Sequence, residues 1–325
     1  MLAARYERTG AAREVLRVEE VDRPEPGPGE VRVRIRVSGV NPTDWKSRAG
    51  ATGRPPADGF QIPNQDGAGE IDAVGEGVDP ARAGERVWVF FAAWQRPWGT
   101  AAQWTVVPAE RAVALPAGAS DDLGASLGIP AMTAHRCLLA DGPVDGATVL
   151  VAGGAGAVGH AAIELGGWLG ARVIATVSSD EKAALARAAG AHAVVNYRAG
   201  DAAEQIRAAA PDGVDRVVEV ALGPNLGLDL DVAAPNAAIV TYADTGGEAA
   251  VPPRRLMAPN LVLRFILVYT MPPAAIAAAV RDVSAAVRDG ALTTLPLHRF
   301  ALEDTAGAHD AVEAGAVGKV VIDVP

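Results

Sequence analysis

Val149-Leu-Val-Ala-Gly-Gly154-Ala-Gly156-Ala-Val-Gly159 is the stretch that decides the fold. An apolar run that predicts a strand leads into the spacing Gly-x-Gly-x-x-Gly and then into the helical sequence His160-Ala-Ala-Ile-Glu-Leu. In that context the glycines allow a tight turn, close approach of the backbone to a pyrophosphate and close helix–strand packing. A glycine turn with no ligand is the alternative. We expect a dinucleotide to bind at six consecutive residues: Gly154, Ala155, Gly156, Ala157, Val158 and Gly159.

The sequence on either side of this loop alternates short apolar runs with Ala-rich helical segments, a pattern typical of a doubly wound parallel sheet. Six strands are predicted, at residues 148–152, 172–177, 193–196, 215–221, 237–242 and 261–269. The last of these is an apolar strand expected at the sheet edge, buried there only if it is paired or covered, and a helix over 273–288 follows it. The fold class is therefore α/β for this part of the chain.

The first third of the chain has a different pattern. Apolar and charged residues alternate in Val31-Arg-Val-Arg-Ile-Arg-Val, and glycine-rich turns follow at short intervals. This predicts a partly open β-barrel, to which a final strand starting at Lys319 returns. We expect one domain of residues 1–123 completed by 292–325, and a dinucleotide-binding domain of residues 124–291.

Composition excludes several classes of partner. The formal net charge of −10 disfavours nucleic acids and anionic membranes, because such surfaces bind clustered Lys and Arg. Cys137 is the only cysteine, so no intrachain disulfide can form, and its apolar surroundings favour a buried packing role. We find neither a secretion signal nor an apolar run of about 20 residues, and expect a cytoplasmic protein without a membrane partner.

The end of the second predicted strand bears on the choice of cofactor. An NAD-dependent protein places an acid there, whereas this strand ends in Val177-Ser178-Ser179. The small hydroxyl groups leave room for a ribose phosphate, and Lys182 and Tyr197 can bind it, so NADPH is the expected cofactor. Asp180 is the competing acid, but it serves equally well as the N-cap of the next helix.

Further motifs follow one another along almost the whole chain: Pro26-Gly-Pro-Gly-Glu-Val31, Gly39-Val-Asn-Pro-Thr-Asp44, Gly67-Ala-Gly-Glu-Ile-Asp-Ala-Val-Gly75, Gly128-Ile-Pro-Ala-Met-Thr-Ala134 and Gly318-Lys319. In order and spacing they resemble the quinone oxidoreductase, or zeta-crystallin-like, branch of the medium-chain dehydrogenase/reductase family. The resemblance implies a GroES-like barrel, a Rossmann domain and a cofactor cleft between them. It also implies a homodimer in which strand 261–269 pairs with its copy.

Zinc-dependent members of that family carry a Cys where this chain has Asn41, a Gly-His-Glu where it has Asn64-Gln65-Asp66, and a four-Cys lobe that is missing here. Catalytic zinc needs three protein ligands, usually His, Cys or Glu. No metal site is therefore expected.

The resemblance also implies roles for single residues. Asn41 corresponds to the position that contacts the nicotinamide ribose and the substrate, and Thr43 to a hydroxyl beside the reacting oxygen. Helix initiation by Asn-Pro-Thr-Asp is the alternative for Thr43. Thr133 matches a position near the nicotinamide, and Lys319 is also assigned to the cofactor.

Aromatic residues cluster in Trp88-Val-Phe-Phe-Ala-Ala-Trp94-Gln-Arg-Pro-Trp98, although the whole chain is only 5% aromatic. Trp94 and Trp98 flank polar, Pro-containing sequence and are expected on a loop, where they would line a pocket for a planar acceptor. Burial in the core is the alternative. Trp45 and Tyr269 are assigned to the same substrate pocket.

The expected reaction is hydride transfer from NADPH to a quinone or an activated alkene. One alternative is a double-bond reductase for alkenals, enones or enoyl thioesters. The enoyl-thioester reductases often have a Tyr shortly after the Asn-Pro-Ser/Thr-Asp motif, where this chain has Arg48-Ala-Gly-Ala-Thr-Gly-Arg54. A second alternative is an NADPH-binding structural or sensor protein with little turnover.

Overall fold

The computed structural model describes residues 1–244 and 249–325, with the exception of the Asp58 side chain. The chain divides into two compact units. The terminal unit comprises Met1–Ile129 and Pro296–Pro325, and the central unit comprises Pro130–Leu295. Among the described helices, none combines the length and apolar character that crossing a bilayer requires.

The central unit is built on a six-stranded sheet, parallel throughout. Its strands are β8 (Thr148–Val151), β9 (Arg172–Val177), β10 (Ala193–Asn196), β11 (Val214–Glu219), β12 (Ala233–Thr241) and β13 (Val262–Phe265). They lie in the order β10-β9-β8-β11-β12-β13, so the order reverses between β8 and β11, where doubly wound sheets bind ligands. The predicted α/β fold class is confirmed.

Helices connect these strands. They are α4 (Gly128–Leu139), α5 (Ala157–Trp168), α6 (Asp180–Ala188), α7 (Ala202–Ala209), α8 (Leu222–Val232), α9 (Pro253–Met257) and α10 (Pro273–Arg288). One face of the sheet, with Leu150, Ile174 and Val217, is buried against apolar residues of α7 and α8 such as Ile206 and Leu226. The helix predicted over 273–288 is present with those bounds.

The sixth strand is shorter than the predicted 261–269. It ends at Phe265 and is followed by a 3₁₀ turn over Val268–Thr270. The strand lies at the sheet edge with β12 as its one neighbour, and β12 itself ends at Thr241, opposite Phe265. The predicted position at a sheet edge is confirmed, and in the single chain Phe265 is 69% exposed and Leu267 50% exposed. Burial of this strand against a second copy stays a prediction.

The terminal unit is centred on the long strand β3 (Glu30–Val40). The other strands are β1 (Leu2–Arg5), β2 (Arg17–Glu20), β4 (Asp66–Val74), β5 (Arg86–Val89), β6 (Trp104–Pro108), β7 (Ala112–Ala114), β14 (Leu297–Ala301) and β15 (Lys319–Asp323). One edge of β3 pairs with β4, while the other pairs first with β6 and then with β15. The predicted return of the final strand is confirmed. The helices are α1 (Ala12–Val15), α2 (Pro42–Ala49), α3 (Asp121–Gly124) and α11 (Thr305–Glu313).

Over residues 31–37 the alternating pattern of β3 has one exception. Val31, Val33 and Ile35 are buried, as the alternation requires. Arg32 is also buried, because its guanidinium group forms ion pairs with Asp72 and with a second acid nearby. A buried charge is tolerated when it is paired in this way.

Candidate active site

The glycine loop joins β8 to α5 and begins with Gly153 in a left-handed conformation, with φ of +69°. A Cβ on Gly154 would lie 2.8 Å from the Cβ of Ala175 on β9, and one on Gly159 would lie 3.0 Å from Cα of Gly154 and closer still to the Gly153 carbonyl. Gly156, in contrast, is exposed. Two of the three glycines are therefore required by packing, and the third leaves the N-terminus of α5 open to an anion.

The end of β9 carries a polar cluster. The Lys182 ammonium donates to the Ser178 hydroxyl at 3.2 Å, and the backbone N–H of Tyr197 donates to the Val177 carbonyl at 3.1 Å. Tyr197 is 47% exposed. Serine hydroxyls and an ammonium group thus lie at one strand end, with the exposed Tyr197 on the neighbouring strand end, a donor set that suits a phosphate monoester.

The N-cap of α6 is Ser179, whose side chain accepts from the Lys182 backbone N–H at 3.3 Å. The interpretation of Asp180 as the N-cap was wrong. Asp180 is instead the first residue of the helix, exposed in its first turn, where a carboxylate is stabilised by the helix dipole. The cap position falls one residue earlier because a serine hydroxyl accepts such a bond as well as a carboxylate does.

Asn41 lies at the N-cap position of α2 and is buried in a network of charged groups. Its side-chain nitrogen donates to Oδ2 of Asp66 at 2.7 Å, and its side-chain oxygen accepts from the Lys319 ammonium at 2.8 Å. Its backbone N–H donates to Oδ2 of Asp44 at 2.7 Å. Asp66 also accepts from the backbone N–H of Ile129 at 2.9 Å. The amide of Asn41 is therefore held in one orientation by a carboxylate on one side and an ammonium on the other.

In this orientation the Asn41 amide keeps one N–H donor for a ligand. An Asn side chain carries two N–H donors, and among the described residues only Asp66 accepts one of them. The second hydrogen can be donated to an oxygen that gains negative charge. A donor fixed in advance stabilises such charge without reorganising, which is why it is effective in catalysis.

Burial perturbs the ionisable groups around Asn41. It raises the pKa of Asp44 to about 8, with the neighbouring Asp66 adding to the rise, and it raises that of Asp66 to about 6 against the opposing charge of Lys319. Burial likewise lowers the pKa of Lys319, while Asp66 and Asp44 raise it. The direction we infer is one proton retained on Asp44 at neutral pH, with Asp66 and Lys319 carrying opposite charges on the two sides of the Asn41 amide.

Asp44→Asn is expected to change the pH dependence of stability. Because the pKa of Asp44 is raised on folding, its contribution is fully present below about pH 4 and is lost as the pH rises through about 8. An Asn side chain can still accept from Asn41 but does not titrate. As the pH rises from about 4 to about 8, the melting temperature of the wild type should therefore fall relative to that of the variant. Thermal melts that show a constant difference across this range would contradict the assignment.

The predicted substrate-pocket aromatics fall into different surroundings. Trp94 is half-buried beneath Arg54, whose guanidinium carbon lies 3.8 Å from the ring centroid. Trp98 packs edge-on against Phe60 at 5.3 Å, in an apolar cluster of the terminal unit. Trp45 is half-buried on α2. A pocket role for any of these three stays a prediction.

Two predicted residues belong to the central unit. Thr133 is buried within α4, and Tyr269 lies on the 3₁₀ turn after β13. Thr43 occupies the first turn of α2, where the structure confirms that Asn-Pro-Thr-Asp starts a helix. A cofactor contact of Lys319 also stays a prediction, because the structure shows its ammonium engaged with Asn41 and the Val40 carbonyl.

A cavity of about 400 Å³ opens beside the polar cluster of β9. Thr176, Tyr197, Glu219 and Asp229 are among the residues that line it. Burial and the neighbouring Glu219 raise the pKa of Asp229 to about 9, so this carboxyl group is protonated at neutral pH. The cavity therefore presents hydrogen-bond donors as well as acceptors next to the proposed phosphate position.

Comparison with known proteins places these features in a family. Residues 27–117 match the alcohol dehydrogenase GroES-like domain, and residues 157–285 match the zinc-binding dehydrogenase domain. Quinone oxidoreductase of Rattus norvegicus is 28% identical over 314 residues, covering 95% of this chain and 94% of that protein. The 2-haloacrylate reductase of a Burkholderia species is 34% identical over 241 residues, or 71% and 70% of the two chains. The chain belongs to the medium-chain dehydrogenase/reductase family.

Solved structures of medium-chain dehydrogenase/reductases agree with this assignment. A mycobacterial protein complexed with NADPH superposes with a TM-score of 0.86 at 28% identity and covers 99% of both chains. The quinone oxidoreductase branch of the family, which the motifs had indicated, is thereby confirmed.

The donor set of this medium-chain dehydrogenase/reductase does not fit a catalytic zinc ion. Asn41 offers an amide in place of a thiolate, and that amide is already bonded to Asp66 and Lys319. The buried Lys319 ammonium lies 2.8 Å from the Asn41 oxygen, so a second cation there would be repelled. Within residues 1–244 and 249–325, moreover, no three His, Cys, Asp or Glu side chains are grouped to hold a metal.

Sequence reasoning missed two sets of buried charges. The first is the contact of Asn41 with Asp66 and Lys319. All three residues stand in or beside motifs that resemble the family, but the motifs do not show that the side chains meet. The second is the carboxyl pair of Glu219 and Asp229. The available signal was Glu219 itself, an acid that ends the apolar run of β11. An acid in such a position is buried and must find a partner.

Proposed function

We propose that this protein transfers hydride from NADPH to a quinone or an activated alkene without using zinc. It is an NADPH-dependent oxidoreductase of the quinone oxidoreductase type. The observation that carries the cofactor choice is the Lys182 ammonium 3.2 Å from the Ser178 hydroxyl, at the strand end where an NAD-dependent protein needs an acid.

Different residues bind the phosphates of the cofactor and the oxygen of the acceptor in this proposal. The glycine loop and the N-terminus of α5 bind the pyrophosphate, and Ser178, Lys182 and Tyr197 bind the ribose phosphate. NADPH supplies the hydride when it is bound. The free amide hydrogen of Asn41 is donated to the acceptor oxygen as it gains negative charge. Solvent supplies the proton, because neither quinones nor enones need a strong acid once the oxygen is hydrogen-bonded.

Lys182→Ala is expected to weaken the preference for NADPH over NADH. Loss of one charged hydrogen bond costs about 1.5–3 kcal/mol, equivalent to about 10- to 150-fold in the ratio of the two kcat/KM values. Arg187→Ala is the matched control, because Arg187 is exposed on the last turn of the same helix. Steady-state kinetics with both cofactors provide the measurement. A wild-type protein that used NADH as well as NADPH would reject the assignment.

The same assay in the presence of a chelator tests metal independence. Turnover should persist, and elemental analysis should find no stoichiometric zinc. About one tightly bound zinc per chain would contradict the argument from the donor set.

Reduction of an activated alkene is the candidate reaction favoured by one specific relative, the Burkholderia 2-haloacrylate reductase. Quinones, alkenals, enones and acyl thioesters should therefore be compared side by side. Turnover of acyl thioesters alone would favour the enoyl-thioester alternative. Tight NADPH binding with no turnover of any acceptor would favour a structural or sensor protein.

A homodimer through residues 261–269 is also proposed. The edge strand β13 exposes Val262 and Phe265, and Leu267 follows it, all with 39% or more of their surface accessible. An apolar edge of this kind promotes pairing unless it is covered, and two-fold pairing is the commonest closed arrangement.

Phe265→Glu should convert the dimer to a monomer, because it places a charge on the exposed edge while leaving the pairing of β13 with β12 intact. Met257→Glu is the control, since Met257 is equally exposed but lies on α9. Light scattering of the three proteins at micromolar concentration gives the result. A monomeric wild type would reject the dimer and leave the hydride-transfer proposal standing.

A further inference from the structure

The Arg54 guanidinium, which stacks on Trp94, has N–H donors without a partner among the described residues. The Arg54 guanidinium lies over the indole ring at 3.8 Å and is exposed on its outer side. Across the part of the chain that the structure describes, no carboxylate forms an ion pair with Arg54 and no oxygen accepts a hydrogen bond from it. A cation held over an aromatic face keeps its in-plane N–H groups available, and that fork matches a carboxylate.

Both members of the pair are attached to the elements that hold Asn41. Arg54 follows α2, whose N-cap residue is Asn41. The loop that carries Trp94 is bonded at both ends to the segment before β4: the Ala92 N–H donates to the Gln65 carbonyl at 3.1 Å, and the Gly99 N–H donates to the Ile62 carbonyl at 3.0 Å. Gln65 directly precedes Asp66, the partner of the Asn41 amide. The pair is thus fixed to the same framework as the proposed donor.

We propose that Arg54, positioned by Trp94, binds the carboxylate of the acceptor, and that the acceptors are α,β-unsaturated carboxylates. This rests on the proposed function and names the substrate class. A carboxylate is already negative and activates a double bond only weakly, so hydride addition would build a second negative charge. Two N–H bonds from a guanidinium offset that charge.

The reaction balances without a further reagent. Hydride from NADPH forms a C–H bond at the β-carbon while the carbon–carbon π bond breaks and its electron pair moves to the α-carbon and the carboxylate oxygens. A proton from solvent then forms the second C–H bond at the α-carbon. The products are the saturated carboxylate and NADP⁺.

The test compares 2-chloroacrylate with its methyl ester, using NADPH and the full-length protein. Arg54→Gln should lower kcat/KM for the carboxylate at least about tenfold, the worth of one charged hydrogen bond, and leave the ester unchanged. Arg54→Lys keeps the charge but lacks the fork, and should lie between wild type and Arg54→Gln. Arg23→Gln is the matched control, because Arg23 lies over Trp104 at 5.3 Å and should affect neither acceptor.

Three results would overturn the inference. The first is an equal loss for the acid and the ester in Arg54→Gln, and the second is an increase in the KM for NADPH in place of that for the acceptor, which would assign Arg54 to a cofactor phosphate. The third is a wild type that reduces the ester or a quinone but not the carboxylate. Failure of the proposed function looks different: no acceptor of any kind would then oxidise NADPH.

Discussion

Asn41→Ala is expected to lower kcat by about 10²- to 10³-fold, the usual cost of removing one fixed donor to a developing oxyanion. The amide is oriented by Asp66 and Lys319, so its remaining hydrogen is presented without reorganisation. The Kd for NADPH, measured by fluorescence titration, should change far less, since the residues proposed to bind the phosphates belong to the other unit.

The substitution also leaves Asp66 and Lys319 without their shared partner. We expect a loss of stability of about 1–3 kcal/mol, the cost of leaving a buried polar group unpaired. Activity is therefore measured well below the melting temperature of the variant, with the folded fraction checked by circular dichroism. A fall in kcat of less than about tenfold would remove Asn41 from the proposed chemistry.

Gly159→Ala should disrupt cofactor binding with little change elsewhere. The added methyl group would lie 3.0 Å from Cα of Gly154 and closer to the Gly153 carbonyl, and both of these are backbone atoms that cannot rotate away. Overpacking of this kind costs about 1–3 kcal/mol, and here the strain falls on the loop proposed to bind the pyrophosphate. The Kd for NADPH should rise at least about tenfold, since every 1.4 kcal/mol is a factor of ten.

The same helix provides the control. A Cβ on Gly167 of α5 would contact nothing within 4 Å, and Gly167 is exposed. Gly167→Ala should therefore stabilise the protein by about 0.5–1 kcal/mol and leave the Kd for NADPH unchanged. Equal effects of the two substitutions on NADPH binding would show that helix propensity, and not the packing of the loop, accounts for the change.

Local patterns predicted most of the fold. The glycine loop, the strand at 172–177 and the helix at 273–288 follow from short-range periodicity and turn chemistry, which are properties of neighbouring residues. The end of β13 does not, because it depends on where β12 stops. The N-cap at Ser179 was missed for a smaller reason: two adjacent residues could each accept the same backbone hydrogen bond.

The candidate active site was predictable only in part. Ser178, Lys182 and Tyr197 come together because they follow the ends of adjacent parallel strands, which a sequence can indicate. The partners of Asn41 are 25 and 278 residues away along the chain. Nothing in the local pattern of Asn-Pro-Thr-Asp indicates that its amide is bonded to an acid and a lysine so remote.

The position of β15 against β3 has a consequence for biosynthesis. The central unit is continuous, so all six strands of its sheet have left the ribosome before β15 is translated. Synthesis of the terminal unit begins first. One edge of β3, over residues 37–40, stays unpaired until β15 has been made, some 278 residues later in the chain. Units completed earlier in synthesis can fold earlier. The nascent chain should therefore acquire its nucleotide-binding unit first, and the ordered amide of Asn41 only when Lys319 arrives.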